Sequence, residues 1–255
     1  MPFQNTNLPF FYFPSLSQFP FLRHAVFTRL GGYSRRTYAS LNLSYDVGDD
    51  PVTVNKNLNL VKQFFSAEKL IWSRQIHDKN VLVIQDEAKP PYEGFDAFVT
   101  NRPGLALLVK LADCQGILLC DPIKKVIAAI HCGWRGNVAN IIAATVDVME
   151  KEFHTKPTDI WAGISPSLGP CCAEFKDYQT LLPKAFWRYR INGNYFDWWR
   201  ISRDQLMAKG IPAKQIEIAG ICTVCDTRFF SYRRDGKSTG RFGAVIMLKG
   251  EESCF

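Results

Sequence analysis

The sequence predicts a mixed α/β fold (mixed α+β), one compact domain with β-sheet concentrated in the middle of the chain, and three observations carry that reading. Between residues 70 and 132, short runs of β-branched and aliphatic residues follow one another at strand length, several of them apolar on both faces. Beside that block, apolar residues recur at helical spacing, as at Val138, Ile141, Ile142, Val146 and Met149. No internal repeat or low-complexity linker divides the 255 residues, so 1–255 reads as a single domain with residues 1–22 an N-terminal extension packed on it.

In chain order, His24 to Arg29 reads as a strand ending at Gly31-Gly32. Asn42, between Leu41 and Leu43 in a strand-like stretch, must find polar partners or face a pocket. Asp49-Asp50-Pro51 marks a helix start, with Val52, Leu58, Val61 and Phe64-Phe65 as its apolar face. Strands are expected over 70–76, 80–85, 95–100, 104–111, 114–120 and 125–131. Gly133-Trp134-Arg135-Gly136-Asn137 opens a helix running to about 153. Strand 159–164, helices 177–187 and 198–208, strand 215–221 and a hairpin of 228–233 with 241–248, its tip at Asp235-Gly236, complete the chain.

The net charge is +7, but lysines and arginines are dispersed apart from Lys124-Lys125 and Arg233-Arg234, so no nucleic-acid partner is expected. No apolar stretch approaches the roughly 20 residues of a membrane span. The first residues are aromatic and proline-rich with no basic residue before Arg23, an expectation against a secretory signal and for a cytoplasmic protein. With eight cysteines in a chain of this size, reduced thiols fit better than a disulfide framework.

Only four histidines occur, and two stand at strand ends: His77 in Gln75-Ile76-His77-Asp78, and His131 in Ile130-His131-Cys132-Gly133. Cys114, in Ala112-Asp113-Cys114, opens an apolar strand. His77, Cys114 and His131 make a complete three-ligand set for catalytic zinc, which keeps a fourth position for water or substrate, and thiolate with imidazole suits that metal's softness. A single strand-end histidine is more often structural, so the weight lies on the set.

The chain resembles the laccase-domain family typified by YfiH, also called the multicopper polyphenol oxidase family. The resemblance rests on Phe27-Thr28-Arg29-Leu30-Gly31-Gly32, Ser40-Leu41-Asn42-Leu43, Val47-Gly48-Asp49-Asp50, Gln75-Ile76-His77, Ala112-Asp113-Cys114, His131-Cys132-Gly133-Trp134-Arg135-Gly136, Gly169-Pro170-Cys171-Cys172 and Phe230-Ser231-Tyr232-Arg233-Arg234-Asp235-Gly236. It implies layered mixed β-sheets flanked by helices, His77, Cys114 and His131 as metal ligands, and purine nucleoside phosphorylase activity with adenosine deaminase and methylthioadenosine phosphorylase activities. Cys132 departs from the usual alanine, and Gln115-Gly116 from a bulky residue plus proline, which bears on substrate preference. A blue-copper centre would consume two histidines and a cysteine, leaving only His24 and His154 for an oxygen-reducing copper cluster, so polyphenol oxidation is not expected. Copper in place of zinc at the trio stays open.

Purine nucleosides and phosphate are the expected small-molecule partners of a monomer or weak homo-oligomer. Asp113 beside the cysteine ligand is a candidate acid or base, or equally a turn residue. Arg135, in a glycine-flanked strand-to-helix turn, is a candidate phosphate fork, against a tight turn with a solvated arginine. Arg234 and Asn42 are further candidate substrate contacts, set against a solvated face and structural bonding. Cys171, Cys172, Cys222 and Cys225 read as structural or pocket-lining thiols, because adjacent cysteines with one Cys-x-x-Cys are a weak metal signal. Two other enzyme readings use the same residues: a metal-free hydrolase with Cys114 as nucleophile and histidine base, and a hydrolase editing cell-wall muropeptide precursors.

Overall fold

The computed structural model of the chain describes residues 1–85 and 90–250; Cys254 lies outside them. Strand Leu105–Leu111 shows why so many runs are apolar on both faces. Leu105, Leu107, Val109 and Leu111 enter one core cluster while Ala106 and Leu108 enter another. Strand Phe242–Leu248 divides the same way, with Phe242, Ala244 and Ile246 on one side and Val245 and Met247 on the other.

Two six-stranded sheets result. One is ordered Phe3–Gln4, Phe10–Phe11, Leu22–Phe27, Phe242–Leu248, Leu105–Leu111, Lys69–Ile71. The other runs Ile216–Ile218, Trp161–Ile164, Gln115–Asp121, Val126–Cys132, Ala97–Thr100, Val81–Val83. Both are mixed and antiparallel at the centre, the second with a parallel pair at each edge and the first at one edge only. They share a cluster that joins Leu107, Val109, Phe242 and Ala244 to Phe98, Leu118, Ile127 and Ala129. Helix Pro51–Phe65 covers the outer face of the first sheet through Val54, Leu58, Val61 and Phe65, and helix Ile141–Phe153 covers the second through Ile142, Val146 and Met149. The domain is mixed α/β with layered sheets, as the sequence predicts.

Asp50 caps the first of these helices by accepting from the Val52 and Thr53 amides, and helix Trp198–Ala208 has the bounds read from the sequence. Several expectations change. The strand over 70–76 breaks into Lys69–Ile71, at the edge of the first sheet, and Ser73–Arg74, which pairs with Tyr92–Glu93 apart from it. The helix over 133–153 is two helices, Trp134–Ala139 and Ile141–Phe153, because Asn140 takes a left-handed φ of 59°, closing the first and capping the second through Ala143 N. The helix over 177–187 shrinks to Tyr178–Leu181, since Pro183 stops it and a 3-10 segment Lys184–Tyr189 follows. There is no hairpin at 228–248: strand Phe242–Leu248 forms, but Tyr232–Asp235 is one helical turn.

Candidate functional site

Register brings the ligand candidates together. Strands Gln115–Asp121 and Val126–Cys132 pair antiparallel with Gly116 opposite His131, so the open end of this hairpin carries Cys114 on one side and His131 with Cys132 on the other. Strand Ala97–Thr100 lies alongside, Ala97 opposite Ile130, which puts Asp96 beside His131. Gly116 is needed there: a Cβ would come within 2.7 Å of the Ala244 Cβ, blocking the approach of the two sheets. A Cβ on Gly133 would sit 3.0 Å from the Cys114 sulfur.

The donor atoms of His77, Cys114 and His131 all lie within 4.8 Å of one another, and the two imidazoles meet edge to face with centroids 4.7 Å apart. Behind them is a residue that the sequence reading missed. Asp96 is fully buried; Oδ1 accepts from His131 Nδ1 at 2.7 Å and from the His77 amide at 2.9 Å, while Oδ2 accepts from the amides of Ile76 and Asp78, both at 3.1 Å. One carboxylate therefore orients one imidazole and fixes the loop bearing the other, where His77 adopts a left-handed φ of 64°. Burial alone would raise its pKa, but the His131 contact and these amides bring it below the ordinary value. The only signal in the sequence is an acidic residue at the head of an apolar run.

Burial also opposes ionisation of Cys114, yet the two histidines outweigh it and bring the thiol down to about 6. Against the same burial, Cys114 and Asp96 lift His131 to about 9. Without a metal, the trio thus favours a thiolate beside an imidazolium.

The trio opens on a pocket of about 660 Å³. Trp134, Leu168, Phe175 and Trp198 line it with apolar surface, and Lys110, Arg135, Arg233 and Arg241 with positive charge. Arg135 is exposed and stacks on Trp134 at 4.3 Å; Arg233 donates to the Glu174 carbonyl at 3.0 Å. Lys110 is 5 % exposed, and burial, partly offset by Asp46, brings its ammonium down to about 8. Three buried donors on the wall, Lys110 Nζ, Gln115 Nε2 and Trp198 Nε1, have no hydrogen-bond partner among the described residues. Cys132, the departure noted after His131, is buried on the same wall, and burial pushes its thiol well up.

The other candidates sit differently. Asp113 lines the pocket, but its Oδ1 accepts from Thr223 Oγ1 at 2.7 Å and its Oδ2 from the Arg233 amide at 2.6 Å, so its carboxylate holds loops together. Asn42 is not in a strand and does not line the pocket. Fully buried, it donates to the Ser44 carbonyl and Asp49 and accepts from the amides of Ser44 and Arg241. Arg234 is likewise off the pocket wall, its guanidinium spent on the carbonyls of Thr223, Val224 and Phe229 and on Asp235. These two residues position the frame rather than face a substrate, because each has its polar atoms already paired. His24 is elsewhere, accepting from the Phe13 amide at 2.8 Å, and burial lowers its pKa to about 4. His154 closes helix Ile141–Phe153.

No helix of the described residues is long and apolar enough to cross a membrane. A protein named purine nucleoside phosphorylase from Bacteroides thetaiotaomicron is 36% identical over 256 residues, covering 92% of this chain and 95% of the relative. The purine nucleoside phosphorylase YfiH of Escherichia coli is 34% identical, covering 87% and 91%. The solved structure of the hypothetical protein YfiH from Bacillus licheniformis superposes with a TM-score of 0.88 at 26% identity over 97% of this chain and 99% of that one. YlmD from Geobacillus stearothermophilus gives 0.86 at 28% identity, covering 97% and 98%. The sequence signature described as multi-copper polyphenol oxidoreductase laccase matches residues 23–249, and with that span the chain belongs to this YfiH-like laccase-domain family.

Proposed function

We propose that the chain is a zinc-dependent purine nucleoside phosphorylase whose pocket also supports adenosine deamination and phosphorolysis of methylthioadenosine. The relatives named purine nucleoside phosphorylase support the first activity. The observation that carries the reading is that one pocket holds both the two-imidazole, one-thiol trio and buried donors without a hydrogen-bond partner among the described residues, a wall suited to an acceptor-rich ligand. The donor set fits zinc: soft thiolate, neutral imidazoles, and a carboxylate behind one of them. Copper takes the same donors. Bound there, zinc supplies a Lewis acid with one position open.

Phosphorolysis breaks the bond between the sugar's anomeric carbon and the purine nitrogen as a phosphate oxygen attacks that carbon, and negative charge develops on the base. Lys110, Arg135, Arg233 and Arg241 hold the phosphate and place its oxygen for attack. Trp134, Phe175 and Trp198 provide flat apolar surface for the purine and exclude water from the bond that breaks. Gln115 Nε2, with Oε1 held by Ser202, is oriented to donate to the base or the sugar. Asp113 keeps the Cys114 loop in register with Thr223 and Arg233. The experiment is metal analysis of purified protein together with product identification from adenosine plus phosphate; free adenine and ribose 1-phosphate are expected, and inosine where deamination operates. Absence of phosphate-dependent base release from every purine nucleoside tried would overturn the reading.

The thiolate–imidazolium preference favours one second reading, a metal-free hydrolase with Cys114 as nucleophile. The two separate on alkylation. A zinc-bound Cys114 reacts slowly with iodoacetamide and faster after chelation, which also stops turnover. A free nucleophile is labelled quickly with or without chelator, and chelation leaves turnover intact.

A further inference from the structure

The sequence reads Cys171-Cys172 and Cys222-Thr223-Val224-Cys225 as structural or pocket-lining thiols with a weak metal signal, but the fold gathers them. All four sulfurs lie within 4.8 Å of one another. Cys225 Sγ is 3.7 Å from Cys171 Sγ and 3.6 Å from Cys172 Sγ. Four thiolates around one zinc, each at about 2.3 Å, form a tetrahedron with edges of about 3.8 Å. A disulfide needs about 2.05 Å and joins only two sulfurs, whereas Cys225 has two sulfur neighbours at near-equal distance.

The backbone is arranged for the same end. Cys222 Sγ accepts from the Gly169 amide at 3.3 Å, and the amides of Val224 and Cys225 also point at it, the kind of donor shell that stabilises a ligating thiolate. Gly169 permits the approach: a Cβ there would come within 2.8 Å of the Cys222 Cβ and 3.2 Å of its sulfur. We propose that Cys171, Cys172, Cys222 and Cys225 bind a second zinc ion, a structural one, as four thiolates. Each thiol gives up its proton on binding, and the ion replaces mutual repulsion with attraction.

What this ion would clip is specific. The loop after strand Trp161–Ile164 and the loop around Cys222 are joined by the parallel bridge of Ser167 with Cys222 and by the Gly169 amide on the Cys222 sulfur. Both loops hold Asp113, the first through the Leu168 amide at 2.8 Å to its carbonyl, the second through Thr223. The first also carries Leu168 and Phe175 to the pocket wall. A metal shared between them fixes that wall without entering the pocket.

The test counts zinc in full-length protein. Wild type should hold two ions per chain, Cys114→Ser one and the double variant Cys171→Ser/Cys225→Ser one. Should the trio bind no metal, wild type and Cys114→Ser would each hold one ion and the double variant none. That result would sink the proposed activity and leave this site standing. An unchanged zinc count in the double variant, no zinc in Cys114→Ser, or disulfides among the four in freshly isolated protein would overturn the inference. If the double variant does not fold, cobalt(II) loaded into Cys114→Ser decides: the intense thiolate-to-metal charge transfer and visible bands of a tetrahedral sulfur site are expected, and their absence overturns it.

Discussion

The trio of His77, Cys114 and His131 and the quartet of Cys171, Cys172, Cys222 and Cys225 use overlapping donor chemistry, yet they are built in opposite ways. Cys114 and His131 stand at the ends of paired strands with His77 on a loop beside them, and the trio is aligned by a fully buried carboxylate and opens on a 660 Å³ pocket. The quartet hangs on two loops that meet at the Ser167–Cys222 bridge, takes its orienting bonds from backbone amides, and contributes no residue to that pocket. Three donors beside a cavity leave room for a reacting molecule; four donors close the coordination sphere. Number and placement of donors, more than their identity, separate a centre for chemistry from a clip.

Removing a trio ligand tests this contrast most severely. His77→Ala, Cys114→Ala and His131→Ala should each lose the trio's metal and reduce nucleoside turnover to background. The fold should persist, because two sheets and their helices do not depend on one catalytic ion. Metal analysis, far-UV circular dichroism and product assay check this together, and full metal occupancy in any variant removes that residue from the set.

Asp96→Asn should act one step less severely, since it leaves all three donors but weakens their alignment. Metal affinity should fall about 10- to 100-fold. Asp96 also links the site to acid stability. Its folded pKa lies below the unfolded value, so its contribution is present above about pH 4 and is lost as pH falls through the lower folded value. In metal-free protein the stability gap between wild type and Asp96→Asn should therefore narrow on acidification below about pH 4. A gap independent of pH, measured by denaturant titration, would remove Asp96 from that role.

How far these features were legible follows from the same contrast. Strands apolar on both faces, the capped helix at Pro51–Phe65 and the strand-end His131 are written locally, in spacings of a few residues, whereas His77 falls on a loop past strand Ser73–Arg74. Asp96 meets its partners 18 to 35 positions away, and the cysteine pairs meet across 53 and 54, so no local pattern announces either. The 228–233 segment misleads for a physical reason. Its alternation suggests a strand, but Ser231 caps the Arg234 amide, and the Arg234 guanidinium binds carbonyls that a neighbouring strand would otherwise serve. One arginine, bonded to carbonyls 5 to 11 positions back, thus overrides a period-two pattern.

Lys110→Met asks whether the trio's pocket carries a cost that the quartet's surroundings do not. Burial brings this ammonium down to about 8 from an unfolded value near 10.5, so its charged form opposes folding. That penalty is fully present below about pH 8 and fades as pH rises to about 10.5. The methionine variant should therefore be more stable than wild type near pH 7, by ~2 kcal/mol, with the gain shrinking in alkali. Its KM for phosphate should rise about 10-fold. Thermal melts across pH combined with phosphate titrations decide, and a destabilised variant with unchanged phosphate dependence would place Lys110 in the core rather than the site.

The smallest effect is expected at Arg135, and it bears on how the pocket holds its anion. Helix Trp134–Ala139 ends after six residues at Asn140, so its N-terminus offers little dipole, and the charge there comes mainly from the Arg135 side chain. That side chain is exposed and braced on Trp134 at 4.3 Å, so it can reach the phosphate while remaining solvated. Arg135→Ala should raise the KM for phosphate a few-fold, about 1 kcal/mol of binding, and leave adenosine deamination nearly unchanged, because hydrolysis has no phosphate to hold. Arg135→Lys should recover part of the loss, since an ammonium supplies charge without the bidentate fork. Parallel assays of adenine and inosine formation over a phosphate series read both arms at once. Equal loss of the two products would mean that Arg135 supports the Trp134 wall, and the anion would then belong to Lys110, Arg233 and Arg241.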